Sequence, residues 1–133
     1  MSRSYDARIV ALTIGQSHKW VDNLLSHHHL PSISKGRQGL QRTISDDGLL
    51  AIEVARVLTV ELGVSLARAA ELTRIAFAAR SGHEMRVAAD SGLVLSFELG
   101  TIERRLRGRM TEVMESVGHV RRGRRPRPQP PRS

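Results

Sequence analysis

The sequence predicts a mostly α-helical fold, in which a winged helix-turn-helix is followed by a β-hairpin, a C-terminal helix and a disordered basic tail. Three observations favour this fold. Two short helical patterns are separated by a glycine, the apolar spacing changes to a period of two beyond Gly82, and Arg and Pro dominate residues 121–133. Because aromatic residues make up only 3% of the chain, the core is expected to consist of Leu, Val, Ile and Ala.

The first two helices are predicted within residues 6–27. Ala11 allows two helices to cross closely, and Gly15 can take the positive φ of a tight turn. Val21 would anchor the second helix against the first. Asp6 and Ser17 are expected to cap the two helices, because their side-chain oxygens can accept the free N–H groups of a first turn. The other buried positions of the pair are predicted to be Val10, Ile14 and Leu24.

A basic hairpin, or wing, is predicted after Pro31. Gly36 and Gly39 lie between two short β-prone segments, a pattern typical of a tight hairpin. Its tip would carry Lys35 and Arg37 towards the phosphates beside a DNA groove. The alternative is an ordinary solvated loop.

Two further helices are predicted to complete a domain over residues 6–80. Ser45 begins a helix that is apolar nearly all round and ends at Gly63, so it is expected at the centre of the domain. Ser65 would cap the next helix, which runs to about Arg80. This helix is predicted to bury Leu66, Ala69, Ala70, Thr73, Ala76 and Phe77.

Residues 83–118 are predicted to form a β-hairpin followed by a helix. Alternating apolar residues on both sides of Gly92 give the hairpin one apolar face, and Thr101 is expected to cap the helix. The apolar stripe of this helix contains Ile102, Leu106, Met110, Val113 and Val117. Because an isolated hairpin is marginal in water, we predict that the segment is a dimerisation module. The alternative is that it completes the core of a monomer.

The net charge of +8 is unevenly distributed along the chain. Residues 1–44 carry six Lys or Arg against two Asp, and residues 45–120 carry nine Arg against eleven acids. Residues 121–133 carry six Arg and no acid, and they are predicted to be disordered in isolation. This distribution is typical of a protein whose two basic ends contact a polyanion.

The second helix and the wing carry the candidate DNA-binding residues. Those of the helix are Gln16, Ser17, His18, Lys19, Trp20 and Asn23, which would enter the major groove. Those of the wing are Lys35, Arg37, Gln38 and Arg42, which would contact the phosphate backbone. Trp20 could instead pack between the two helices. Asp22 lies on the same face, and its negative charge favours the alternative that this face binds another protein.

Other classes of function lack the residues they need. The chain has no cysteine, and three consecutive imidazoles at His27–His29 cannot all face one ion, so no metal or other cofactor is expected. Neither a P-loop nor a G-x-G-x-x-G motif is present and no catalytic triad stands out, so no enzyme is predicted. No apolar run approaches the ~18 residues of a membrane span, and we expect a cytoplasmic protein.

From about residue 9 to 72 the chain resembles the winged helix-turn-helix domain of the MerR family. The order of parts matches: the helix-turn-helix, Leu30-Pro31, a wing ending in residues 42–45, and a helix. Leu62-Gly63-Val64-Ser65-Leu66 is similar to that family's L-G-x-S-L. Where the family has an arginine followed by tyrosines, this chain has Asp22, Asn23 and Leu24. The resemblance implies a DNA-docking geometry, and metal or drug sensing is not carried over.

The sequence therefore predicts a protein that binds double-stranded DNA sequence-specifically, as a homodimeric transcriptional regulator of prokaryotic type. One alternative is an antitoxin-like protein whose C-terminal half binds a partner protein. Another is an architectural protein that coats DNA, and a third is a protein-interaction module.

Overall fold

The computed structural model describes residues 4–34, 43–88 and 91–123, and its elements are mostly helical. In chain order they are β1 (Ser4–Tyr5), α1 (Ala7–Ile14), α2 (His18–His27), β2 (Ile33–Ser34), β3 (Thr43–Ser45), α3 (Asp46–Arg56), a π-helical segment (Val57–Glu61), α4 (Leu66–Ala79), β4 (Glu84–Ala88), β5 (Val94–Glu98) and α5 (Leu99–Gly123). The predicted wing residues Lys35, Arg37, Gln38 and Arg42 lie outside the described residues, as do residues 124–133.

The predicted packing of the first two helices is confirmed. Asp6 accepts a hydrogen bond from the Ile9 N–H at 2.9 Å, and the Ser17 side chain accepts one from the Trp20 N–H at 3.0 Å. Gly15 joins the helices with a φ of 74°. The apolar positions singled out in the sequence are all buried, namely Val10, Ala11, Ile14, Val21 and Leu24.

A three-stranded antiparallel sheet with the order β1-β3-β2 contacts α3 through β3. Ile44 of β3 pairs with Tyr5 on one side and with Ile33 on the other. The Tyr5 hydroxyl donates to the Asp46 carboxylate at 2.8 Å, which ties β1 to the start of α3. β1 has no counterpart among the predicted elements, because two residues are too few to show a period.

The long central helix that was predicted to end at Gly63 is α-helical to Arg56 and π-helical from Val57 to Glu61. The Leu62 N–H donates to the Val57 carbonyl at 3.1 Å, an i→i+5 bond of the π-helical segment. The Thr59 hydroxyl is buried there without a hydrogen-bond partner in the described part of the chain. Val60 is 50% exposed and Leu62 is 51% exposed, so the prediction that this helix lies at the centre of the domain is wrong for its last turn.

The second hairpin and the start of α5 belong to the same core as α1–α4. Met85 pairs with Phe97 across the β4–β5 hairpin, and both residues are buried in the cluster that contains the apolar residues of α1 and α3. Within the predicted stripe of α5, Ile102, Leu106 and Met110 are buried in that cluster as well. The part of this segment between Met85 and Met110 thus contributes to the core of the monomer, as the alternative above predicts.

The start of α5 differs from the prediction that Thr101 caps the helix. The helix begins at Leu99, and the Glu98 carboxylate accepts hydrogen bonds from both the Thr101 hydroxyl at 2.6 Å and its N–H at 3.1 Å. The hydrogen bond from the Thr101 hydroxyl is the largest cause that lowers the pKa of Glu98 below its ordinary value, and the bond from the Thr101 N–H is the second. Glu98 is therefore the capping residue, and Thr101 is the donor in the first turn.

Beyond Met110 the helix α5 continues to Gly123, about 20 Å further along its axis. The helix includes residues 121–123, which are the first three residues of the predicted tail. Val113 and Val117 are half-buried and Met114 is 48% exposed, so the apolar stripe extends past the core. Across the described residues, no helix has an apolar stretch long enough to cross a bilayer.

Two glycine-to-alanine substitutions are expected to have opposite effects on stability. A Cβ at Gly48 would lie 2.7 Å from the Ser32 carbonyl oxygen, so we expect Gly48→Ala to lower the free energy of unfolding by about 1–3 kcal/mol. Gly108 in α5 has nothing within 4 Å of its Cβ position, so Gly108→Ala should raise it by up to ~1 kcal/mol. Urea denaturation at one protein concentration measures both, and a stabilising Gly48→Ala would contradict the packing of α3 on the sheet.

Candidate nucleic-acid interface

The turn between α1 and α2 holds the two helices in a fixed relation. The Gly15 N–H donates to the Leu12 carbonyl at 3.4 Å, and the Gln16 N–H donates to the Ala11 carbonyl at 3.0 Å. These bonds close the end of α1 around a left-handed residue, a common helix ending that favours glycine. Ser17 caps α2 immediately afterwards, so only residues 15–17 separate the helices.

One side of α2 faces solvent along its whole length. Val21, Leu24 and Leu25 are buried on the inner side. The exposed residues from the cap to the last turn are Ser17, His18, Lys19, Asp22, Asn23, Ser26 and His27. Within the described part of the chain, neither α5 nor the second hairpin covers this face. A polar surface one helix long is therefore open to a partner.

Two of the predicted site residues lie at the edge of this surface. Gln16, in the turn, is half-buried. Trp20 is also half-buried and packs against the hydrophobic core, in agreement with the packing alternative for this residue. Four predicted residues, Ser17, His18, Lys19 and Asn23, are thus brought together as exposed groups on α2.

The chain between α2 and β2 is anchored from two sides. The Arg74 guanidinium of α4 donates to the His29 carbonyl at 3.0 Å, and Leu30 is buried. The Ser45 hydroxyl donates to the carbonyl of Ser32 at 2.9 Å, and Ser32 itself has a positive φ of 61°. The connection from α2 to β2 is therefore fixed to α4 through Arg74 and to the start of α3 through Ser45.

The exposed face of α2 is only weakly charged. Lys19 contributes a formal positive charge and Asp22 a negative one. A further cation, Arg109 of α5, lies beside the turn, with its Nη2 3.5 Å from the Cβ position of Gly15. The sequence does not predict this position of Arg109, because it depends on a helix contact between residues far apart in the chain.

A groove of about 340 Å³ lies between β1, α3 and α5. Its polar lining is already engaged, since Asp46 accepts from Tyr5 and Arg107 pairs with Glu103 at 3.3 Å. The described residues contain no group of three His, Asp or Glu side chains able to hold a metal ion. The face of α2 is therefore the stronger candidate for a functional surface.

Comparison of the chain with protein-family models, with curated proteins and with solved structures finds no match. The functional assignment consequently depends on the geometry of α2 and its surroundings, together with the motifs of residues 9–72.

Proposed function

We propose that the protein binds double-stranded DNA sequence-specifically through the exposed face of α2, as a homodimeric, cytoplasmic transcriptional regulator of prokaryotic type. The observation that carries this proposal is the open polar face of α2, which is fixed by the Gly15 turn and by a buried inner side. The resemblance of residues 9–72 to the MerR-family domain supports the same docking geometry.

The dimensions and side chains of α2 suit the major groove of DNA. A helix of this length spans about 15 Å, and the major groove is about 12 Å wide. Lys19 is suited to the acceptors of guanine, and Asn23 to the paired donor and acceptor of adenine. In this docking the predicted wing, with Lys35, Arg37 and Arg42, reaches the adjacent phosphates.

The outer part of α5 supports the proposal of a homodimer. Val113, Met114 and Val117 continue the apolar stripe beyond the monomer core and remain partly exposed. A second copy of α5 packed along this stripe would bury it, since apolar residues three and four apart share one helix face. The two α2 helices of the dimer would then bind two DNA half-sites.

A protein partner is the second candidate function, and the tip of the β4–β5 hairpin favours it. Leu93 is 57% exposed and Val94 is 52% exposed at this tip. Adjacent exposed apolar residues of this size are common in protein-binding surfaces. The antitoxin-like alternative would use this tip, and the DNA-binding surface of α2 would remain available.

The salt dependence of binding tests the main proposal. If each protomer engages about five or six phosphates, log K should fall against log salt with a slope near −5 per protomer, at ~0.9 per phosphate. Fluorescence anisotropy on a labelled duplex from low to moderate salt measures this slope. Absence of binding to any duplex at low salt would favour the protein-interaction alternative.

Deletion of residues 121–133 is expected to weaken binding to selected and to random duplexes by the same factor. The segment carries six Arg and no acid, so its contacts would be with phosphates and would carry no sequence information. We expect a loss of at least tenfold, with a shallower salt slope. Loss restricted to the selected duplex would contradict this role.

A further inference from the structure

The arginines in the first part of α5 differ in whether the chain itself holds them. Three have partners, which are Thr101 for Arg104 at 3.4 Å, Glu53 for Arg105 at 2.6 Å and Glu103 for Arg107 at 3.3 Å. Arg109 is exposed and has no hydrogen-bond or ion-pair partner in the described part of the chain. Arg109 is thus the member of this set that is available to an external anion.

The position of Arg109 is fixed by the packing of α5 on α1. The neighbouring Met110 is buried, and its sulfur lies 3.5 Å from the Thr13 hydroxyl of α1. This contact places the Arg109 guanidinium over the turn, 3.5 Å from the Cβ position of Gly15. That distance is an ordinary van der Waals contact, so Arg109 leaves room for a Cβ at residue 15. Glycine is favoured at this position because of its positive φ.

We propose that Arg109 binds a DNA phosphate at the edge of the groove that α2 enters, which makes α5 part of the DNA interface. This inference depends on the proposed function, and it adds a residue and an element that the sequence motifs do not contain. His18 begins α2 directly after the turn, with Ser17 as its cap. In the proposed docking, a DNA backbone at this end of α2 would therefore lie next to Gly15. A planar guanidinium matches the geometry of a phosphate, and it adds a positive charge beside the face of α2, where Asp22 offsets the charge of Lys19.

The test compares Arg109→Gln with Arg107→Gln in the full chain. Both variants remove one positive charge from α5, and residues two apart lie on different sides of a helix. Affinity is measured by fluorescence anisotropy for a selected duplex and a random duplex between 50 and 200 mM salt, a range in which phosphate contacts weaken steeply.

We expect Arg109→Gln to lower affinity by about tenfold for both duplexes and to reduce the salt slope by ~0.9. Arg107→Gln should leave affinity within about twofold of the wild type, because its partner lies within the chain. Arg109→Lys should keep the slope, because it keeps the charge. This variant also separates a lost charge from a local change in packing.

Three results would overturn the role of Arg109. If Arg109→Gln binds like Arg107→Gln while the wild type binds DNA normally, Arg109 contacts no phosphate and the proposed function stands. If affinity falls only for the selected duplex, Arg109 reads sequence and is not a phosphate contact. If the wild type binds no duplex, the role of Arg109 and the proposed function fail together.

Discussion

Replacing Lys19 with Glu is expected to weaken binding to a selected duplex by about 100-fold, with a smaller loss on random DNA. Lys19 lies exposed in the first turn of α2, where it would meet base edges. One good base contact contributes about 1–3 kcal/mol of discrimination, and the introduced carboxylate adds repulsion from the phosphates. Competition binding with selected and random duplexes measures the difference.

Arg104→Glu provides the matched control for this charge reversal. It changes the charge by the same amount, but Arg104 lies at the start of α5, where it donates to Thr101. We expect its effect on the two duplexes to be equal and below about tenfold. Equal losses for Lys19→Glu on selected and random DNA would show that α2 does not read sequence.

The largest effect on stability is expected at Glu53, where Glu53→Ala should lower the free energy of unfolding by about 3–5 kcal/mol. The Glu53 side chain is 2% exposed, and it accepts from Arg56 at 2.7 and 2.9 Å and from Arg105 at 2.6 Å. The hydrogen bonds that Arg56 donates to the Glu53 carboxylate are the largest cause that raises the pKa of Arg56 above its ordinary value. Removal of the carboxylate would leave the largely buried Arg56 cation with only an exposed partner.

Glu61→Ala is the control for this substitution. Glu61 pairs with the same Arg56 at 3.2 Å, but its side chain is 55% exposed, so we expect a loss below about 1 kcal/mol. Urea denaturation of both variants at one protein concentration gives the comparison. If the two substitutions destabilise the protein equally, the contact between Glu53 and Arg105 does not stabilise the packing of α5 on α3.

Local features of the fold could be predicted from the sequence because they depend on neighbouring residues. The caps Asp6 and Ser17, the turn at Gly15 and the β4–β5 hairpin each follow from a short pattern, and the structure contains them all. The π-helical turn at Val57–Glu61 could not be predicted, because an apolar pattern does not distinguish an i→i+5 bond from an i→i+4 bond.

Contacts between distant parts of the chain lay outside what periodicity can predict. The pairing of Glu53 with Arg105 and the position of Arg109 beside Gly15 both depend on how α5 packs on the earlier helices. For the same reason, the sequence left open whether α5 completes the core or forms a separate module. The structure shows that the first part of α5 belongs to the core, because Ile102 and Leu106 are buried in the core of the same chain.

Selection of bound fragments from random duplex DNA, with the mass of the protein–DNA complex measured alongside, tests the central proposal most directly. We predict enrichment of one discrete motif, with two half-sites about one helical turn apart or a multiple of that, bound by two copies of the chain. Binding that grows along the DNA without a motif would identify an architectural protein. Recovery of no fragment above background at low salt would contradict the proposal that α2 is a DNA-binding helix.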